Sequence, residues 1–67
     1  MTAALNVVIN GSPQALTAGT TVADLLPTDP RGHAVARNGT VVLRADHATT
    51  PLTEGDVIEI VAAVQGG

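Results

Sequence analysis

The residues with the clearest chemical potential are the last four, Val64-Gln65-Gly66-Gly67. A terminal carboxylate carried on glycine is unhindered, so it can attack a nucleotide phosphate and become an acyl-adenylate whose carbonyl then accepts a nucleophile. Glycine also fits a narrow tunnel and takes whatever backbone angles the tunnel imposes. At about 7% average usage, two terminal glycines coincide by chance in roughly 0.5% of chains, so the pair is a signal in its own right. Residues 63–67, if extended, reach about 16 Å, enough to carry the Gly67 carboxylate from a folded body into another protein's active site.

Competing chemistry is weak. His33 and His47 stand in separate segments that read as irregular, with no cysteine and no spaced second histidine, so no metal site is expected. The nine threonines fit β propensity, caps and turns. Without any lysine there is no glycine-rich phosphate loop that ends in one. The chain is therefore expected to bind no cofactor itself, any ATP being held by a partner. Arg37 and Arg44 flank a hairpin and read as solvated, or as pairing with acids on a partner.

Composition narrows the class further. Sixty-seven residues allow one small domain. The apolar fraction is 45% with no aromatic residue, so the core must come from nine Val, six Leu, three Ile and Met1, which leaves no material for a spacious enclosed pocket. Three arginines against six acids give a net charge of −3. Nucleic acid has little to attract it, and no ring is present on which a base could stack. An electropositive protein partner fits better. Cysteine is absent, which removes disulfide and thiol chemistry. No apolar run reaches the length of a membrane span, and no basic region precedes an apolar one at the N-terminus, so a soluble, cytoplasmic protein without a membrane partner is expected.

The elements that must position the terminus read as strands with hairpin punctuation. Leu5 to Ile9 alternates, with Leu5, Val7 and Ile9 on one side. Asn10-Gly11 supplies a turn, and Gln14 to Ala18 returns antiparallel. Thr21 is a good N-cap with Asp24 three residues on. Val22, Leu25 and Leu26 then form an apolar stripe on a short helix that Pro27 to Pro30 must end. Ala34 to Arg37, the turn Asn38-Gly39 and Val41 to Leu43 make a second hairpin. Residues Arg44 to Thr53 read as an irregular connection pinned by Leu52. Glu54-Gly55-Asp56 forms a turn into the last strand, Val57 to Ala62.

Two hairpins with a helix between them close when the helix covers one face of a mixed sheet. The last strand must lie centrally, because Ile58 and Ile60 are the bulkiest late apolar residues. The expected fold is α+β, a β-grasp: a mixed sheet of four to five strands, one short helix on one face, and first and last strands parallel neighbours. Residues 1–62 form the domain and 63–67 a flexible C-terminal tail. With the isoleucines inward, Val57, Glu59 and Val61 point outward; with Val8 on the neighbouring strand they read either as an apolar patch suited to a partner or as ordinary isolated surface valines. Asp56 and Glu59 would steer a basic partner face, or Asp56 sits in a solvated turn.

At this point the residues resemble a family. The terminal Val64-Gln65-Gly66-Gly67 and the helix entry Gly19-Thr20-Thr21-Val22-Ala23-Asp24-Leu25-Leu26 look like the thiamine-biosynthesis sulfur carriers, ThiS. So do the hairpin Val35-Ala36-Arg37-Asn38-Gly39 and the run Leu52-Thr53-Glu54-Gly55-Asp56-Val57-Ile58-Glu59-Ile60. The resemblance implies a ubiquitin-like β-grasp carrier that is consumed and regenerated, and not an enzyme. A ThiF-type adenylyltransferase would use ATP to activate the Gly67 carboxylate, and a sulfur-transfer protein would convert the adenylate to a thiocarboxylate. The tail, with Val64, Gln65 and Gly66 threading partner sites, would then deliver sulfur to thiazole synthase. Alone, the carrier is expected to be a monomer.

The chain departs from the family at Leu43, where relatives often carry proline, and at Arg44-Ala45-Asp46-His47, where they often carry an aromatic residue. Both differences bear on the packing of that loop and not on the tail. Two alternatives share the fold. The small sulfur-carrier subunit of molybdopterin synthase also ends in Gly-Gly, but its relatives are longer and place proline before the glycines. A ubiquitin-like modifier joined to lysines uses the same adenylate. A third alternative, of a different class, is an interaction module with an inert tail.

Overall fold

The computed structural model describes residues 4–26 and 32–62. Alternating apolar residues build β1 (Ala4–Ile9), which returns as β2 (Ser12–Thr17). A 3-10 helix, η1 (Val22–Leu25), follows, then β3 (His33–Arg37), β4 (Thr40–Val42), a second 3-10 helix, η2 (Arg44–Thr49), and β5 (Val57–Ala62). The sheet order is β2-β1-β5-β3-β4. β5 lies at the centre, parallel to β1 through Val8↔Val57 and Ile9↔Ile58, and antiparallel to β3 from His33↔Ala62 to Arg37↔Ile58. The mixed sheet and its parallel first and last strands are those expected of a β-grasp fold.

Both hairpins turn on Asn-Gly. Asn10 and Gly11 take φ of 50° and 80°, and Asn38 and Gly39 take 51° and 84°. Two successive positive φ values give a turn whose twist matches that of the strands, and asparagine and glycine are the residues that reach them at least cost. The strands open slightly earlier than their hydrophobic patterns indicate. β2 begins at Ser12 and contains Pro13, which is tolerated because β2 is an edge strand, and β4 ends at Val42 rather than Leu43. His33, read from sequence in an irregular segment, begins β3.

The short helix forms as a single 3-10 turn. Asp24 N–H donates to Thr21 O at 3.1 Å and Leu26 N–H to Ala23 O at 3.2 Å, the three-residue spacing of that helix. The Asp24 carboxylate reaches back to accept the Thr21 N–H at 2.9 Å and the Thr21 hydroxyl at 3.2 Å, as the capping pattern anticipates. The stripe faces the sheet: Val22 is fully buried and Leu25 and Leu26 pack against the core.

The connection Arg44 to Thr53 is more ordered than its polar sequence indicates. Its first part is η2, closed by the Thr49 and Thr50 hydroxyls, which donate to Asp46 O at 3.3 and 2.6 Å. His47 is buried, with Nε2 3.0 Å from Val42 O. Leu52 is buried as expected. Backbone bonds from Val22 N–H to Thr50 O (3.0 Å) and from Leu52 N–H to Thr20 O (2.9 Å) stitch this connection to the start of η1. Val22, Val35, Leu52 and Ile58 thus form the core, with Leu5, Ile9, Leu16, Leu25, Leu26, Val42 and Ile60 packed around it.

Candidate functional site

In β5 the side chains alternate, so burying Ile58 and Ile60 against the helix layer obliges Val57, Glu59 and Val61 to the other face. Val57 is 45% exposed and Val61 59%, and Glu59 is exposed. Val8 lies directly opposite Val57 across the parallel pair and is half-buried. The four residues singled out from the sequence therefore share one face of two adjacent central strands. The register extends this face. Ala34 is opposite Val61, Ala36 is opposite Glu59, and Val41 is opposite Ala36. Val41 is 67% exposed and was missed by sequence reasoning. Its signal was available: counted back across the Asn38-Gly39 turn, it falls on the same side as Ala36.

Asp56 behaves differently from its expected role. It is 3% exposed, neither a solvated turn residue nor a steering charge. Its Oδ2 accepts the Arg37 Nε–H at 2.9 Å and the Thr53 N–H at 2.8 Å, while Oδ1 accepts from the Asn38 amide and the Thr53 hydroxyl, both at 3.0 Å. Burial pushes its carboxyl up. The bonds from the Thr53 backbone, Asn38, the Thr53 hydroxyl and Arg37 together outweigh that effect and hold it below the ordinary aspartate value. Arg37 is correspondingly committed inside the fold, with a further bond to the Thr53 hydroxyl at 3.2 Å, rather than offered to a partner. Glu59 is then the acid on the outer face of β5 itself.

Val64, Gln65, Gly66 and Gly67, together with the division of the chain at residue 63, lie outside the described residues. The described strand that leads to them is β5, held between β1 and β3. Among the described residues no cluster of three or more histidines and acids is arranged to hold a metal ion, and no helix is long and apolar enough to cross a membrane. The depression between β3 and β4, lined by Arg37, Asn38, Thr40 and Val42, is open to solvent.

The sequence pattern of the ThiS family matches residues 7–67, a span that includes the terminal glycines. The fold is similar to a crystal structure of the thiamine biosynthesis protein ThiS from Geobacter metallireducens, with a TM-score of 0.77 and 26% identity over 94% of this chain and 100% of that one. No curated protein sequence matches significantly. With a β-grasp sheet, a family match through the last residue and full-length likeness to a solved relative, the chain belongs to the ThiS family, the sulfur carriers of thiamine biosynthesis.

Proposed function

We propose that the Gly67 carboxylate is the group that carries sulfur. The observation behind this reading is that the family match runs through Val64-Gln65-Gly66-Gly67 to the end of the chain. In this reading a ThiF-type adenylyltransferase binds ATP and the carboxylate oxygen attacks its α-phosphorus, releasing pyrophosphate. A hydrosulfide equivalent supplied by a sulfur-transfer protein then forms the C–S bond at the acyl carbon as the bond to AMP breaks, leaving a thiocarboxylate that thiazole synthase uses as its sulfur source. The carrier supplies no catalytic residue and binds no cofactor. Its contribution is an unhindered acyl group and a docking face.

Val8, Val57, Glu59 and Val61, extended by Val41, form that face. Its central residues lie on the strand that leads to the tail, so a partner seated there is within the roughly 16 Å that residues 63–67 can span. Valines on a rigid sheet lose little entropy on contact, and Glu59 adds a charge for a basic partner surface.

Intact-mass measurement after incubation with the adenylyltransferase, ATP and a sulfur donor tests the reading. Replacement of one oxygen by one sulfur at the C-terminus is expected, and it should disappear when a residue is added after Gly67. Activation of a chain so extended and not cleaved would refute it. Delivery of the sulfur to a pterin or a lysine instead of a thiazole would assign the chain to one of the alternative carriers.

A further inference from the structure

The central strand presents a hydrogen-bonding edge that outruns its neighbour. Successive residues of a strand direct their N–H and C=O groups to opposite edges. Asn10 N–H donates to Ile58 O at 2.9 Å, so Ile60, two residues on, faces the same edge. By then β1 has ended: its pairing with β5 stops at Ile9↔Ile58, and its backbone turns away through the positive φ of Asn10. The Asn10 side chain fills the vacated rung. Its Oδ1 accepts the Ile60 N–H at 2.8 Å and its Nδ2 donates to Ile60 O at 3.2 Å. Because an N–H requires an acceptor and a carbonyl a donor, the orientation of this amide is fixed, and it offers Ile60 the acceptor and the donor that a continuing parallel strand would supply from two of its peptide units.

Turn chemistry alone does not require this. Glycine or aspartate at the first position of the turn also accepts positive φ, but glycine brings no amide, and an ionised aspartate sets an oxygen against Ile60 O. Asparagine meets both demands.

We infer that Asn10 is a positioning residue for acyl transfer. It holds the β1-facing edge of β5 in register through Ile60, and so fixes the point from which the chain beyond is presented relative to Val57 and Val61. The inference rests on Gly67 being the transferred group. It concerns a residue far from that group in sequence.

Asn10→Gly keeps a turn-compatible residue and removes the amide. Hydrogen exchange at the Ile60 amide should accelerate about tenfold more than at Ile58 or Val35, because Ile60 N–H loses the acceptor that Asn10 provides. In steady-state activation by the adenylyltransferase, kcat should fall about threefold or more while KM stays within about twofold, because the docking face is intact. Asn10→Asp adds a readout that general destabilisation does not move: protection of Ile60 relative to Ile58 should recover as the pH is lowered and the new carboxyl gains a proton to donate. Leu25→Ala, which weakens packing on the opposite face of the sheet, serves as the control for stability and should leave kcat unchanged. Parental kcat in Asn10→Gly, or an equal loss in Leu25→Ala, overturns the positioning role. Failure of the parent chain to be activated at all overturns the reading of Gly67 and this inference with it.

Discussion

The two Asn-Gly turns have nearly the same backbone, φ 50° and 80° in one and 51° and 84° in the other, yet they grip opposite ends of one strand by different chemistry. Asn38 holds the start of β5. Its N–H donates to Val57 O and its Oδ1 accepts the Val57 N–H, both at 2.8 Å, while its Nδ2 turns to the Asp56 carboxylate. Asn10 spends its whole amide on Ile60. The entry to the strand is therefore fastened to a buried charge, and the exit side by a neutral pair. Local sequence sets the turn in each case. What the asparagine then holds depends on which part of β5 the topology brings beside it.

This contrast predicts unequal costs for breaking the two ends. Asp56→Ala should be the most damaging, at about 2–4 kcal/mol, since it strips partners from Arg37, Asn38 and Thr53 at a buried position. Urea unfolding measures it, and a loss below about 1 kcal/mol would show that the network is idle. Asn38→Gly should cost about 1–2 kcal/mol, because it removes one bond to a buried carboxylate and one to the Val57 N–H without straining the turn. Asn10→Gly should cost less, about 0.5–1.5 kcal/mol, both of its side-chain bonds being to neutral groups. If the last two substitutions prove equal, charge does not distinguish the ends.

The pH dependence sharpens the same point. The folded carboxyl of Asp56 lies below its ordinary value of 3.8. A depressed acid contributes stability that is complete above the ordinary value and is lost as pH falls through the folded one. Between neutral pH and about pH 5 this network should be constant, and below about pH 4 the parent should lose stability faster than Asp56→Asn. Identical slopes for the two proteins would remove Asp56 as the cause. The Asn10 clamp has no titrating member and should contribute nothing to the slope.

The smallest stability effect is expected on the outer face. Val61→Asp, at a residue 59% exposed, should alter folding by no more than about 0.5 kcal/mol. Binding to the adenylyltransferase, followed by titration calorimetry, should nevertheless weaken measurably if that face docks. Unchanged affinity would move the docking surface elsewhere.

The sequence by itself determined what depends on near neighbours. Asn-Gly between apolar runs fixed both hairpins, and the alternation Val57-Ile58-Glu59-Ile60-Val61 fixed which β5 residues face inward. Thr21 and Asp24 marked the start of the helix, and the family resemblance at Gly66 and Gly67 pointed to a carrier. The tertiary structure alone decided the fate of the polar residues. Asp56 looked solvated because it closes the Glu54-Gly55-Asp56 turn, whereas Arg37 and Asn38, 19 and 18 residues away, arrive on a different hairpin to bury and pair it. The bonds from Asn10 to Ile60 span 50 residues. η2 and the buried His47 were equally hidden, since a polar six-residue turn acquires its shape from the Val42 carbonyl and the core beneath it. Hydrophobic periodicity is a property of a segment and can be read from it. Hydrogen-bond satisfaction belongs to pairs of groups, and only the closed sheet determines which groups meet.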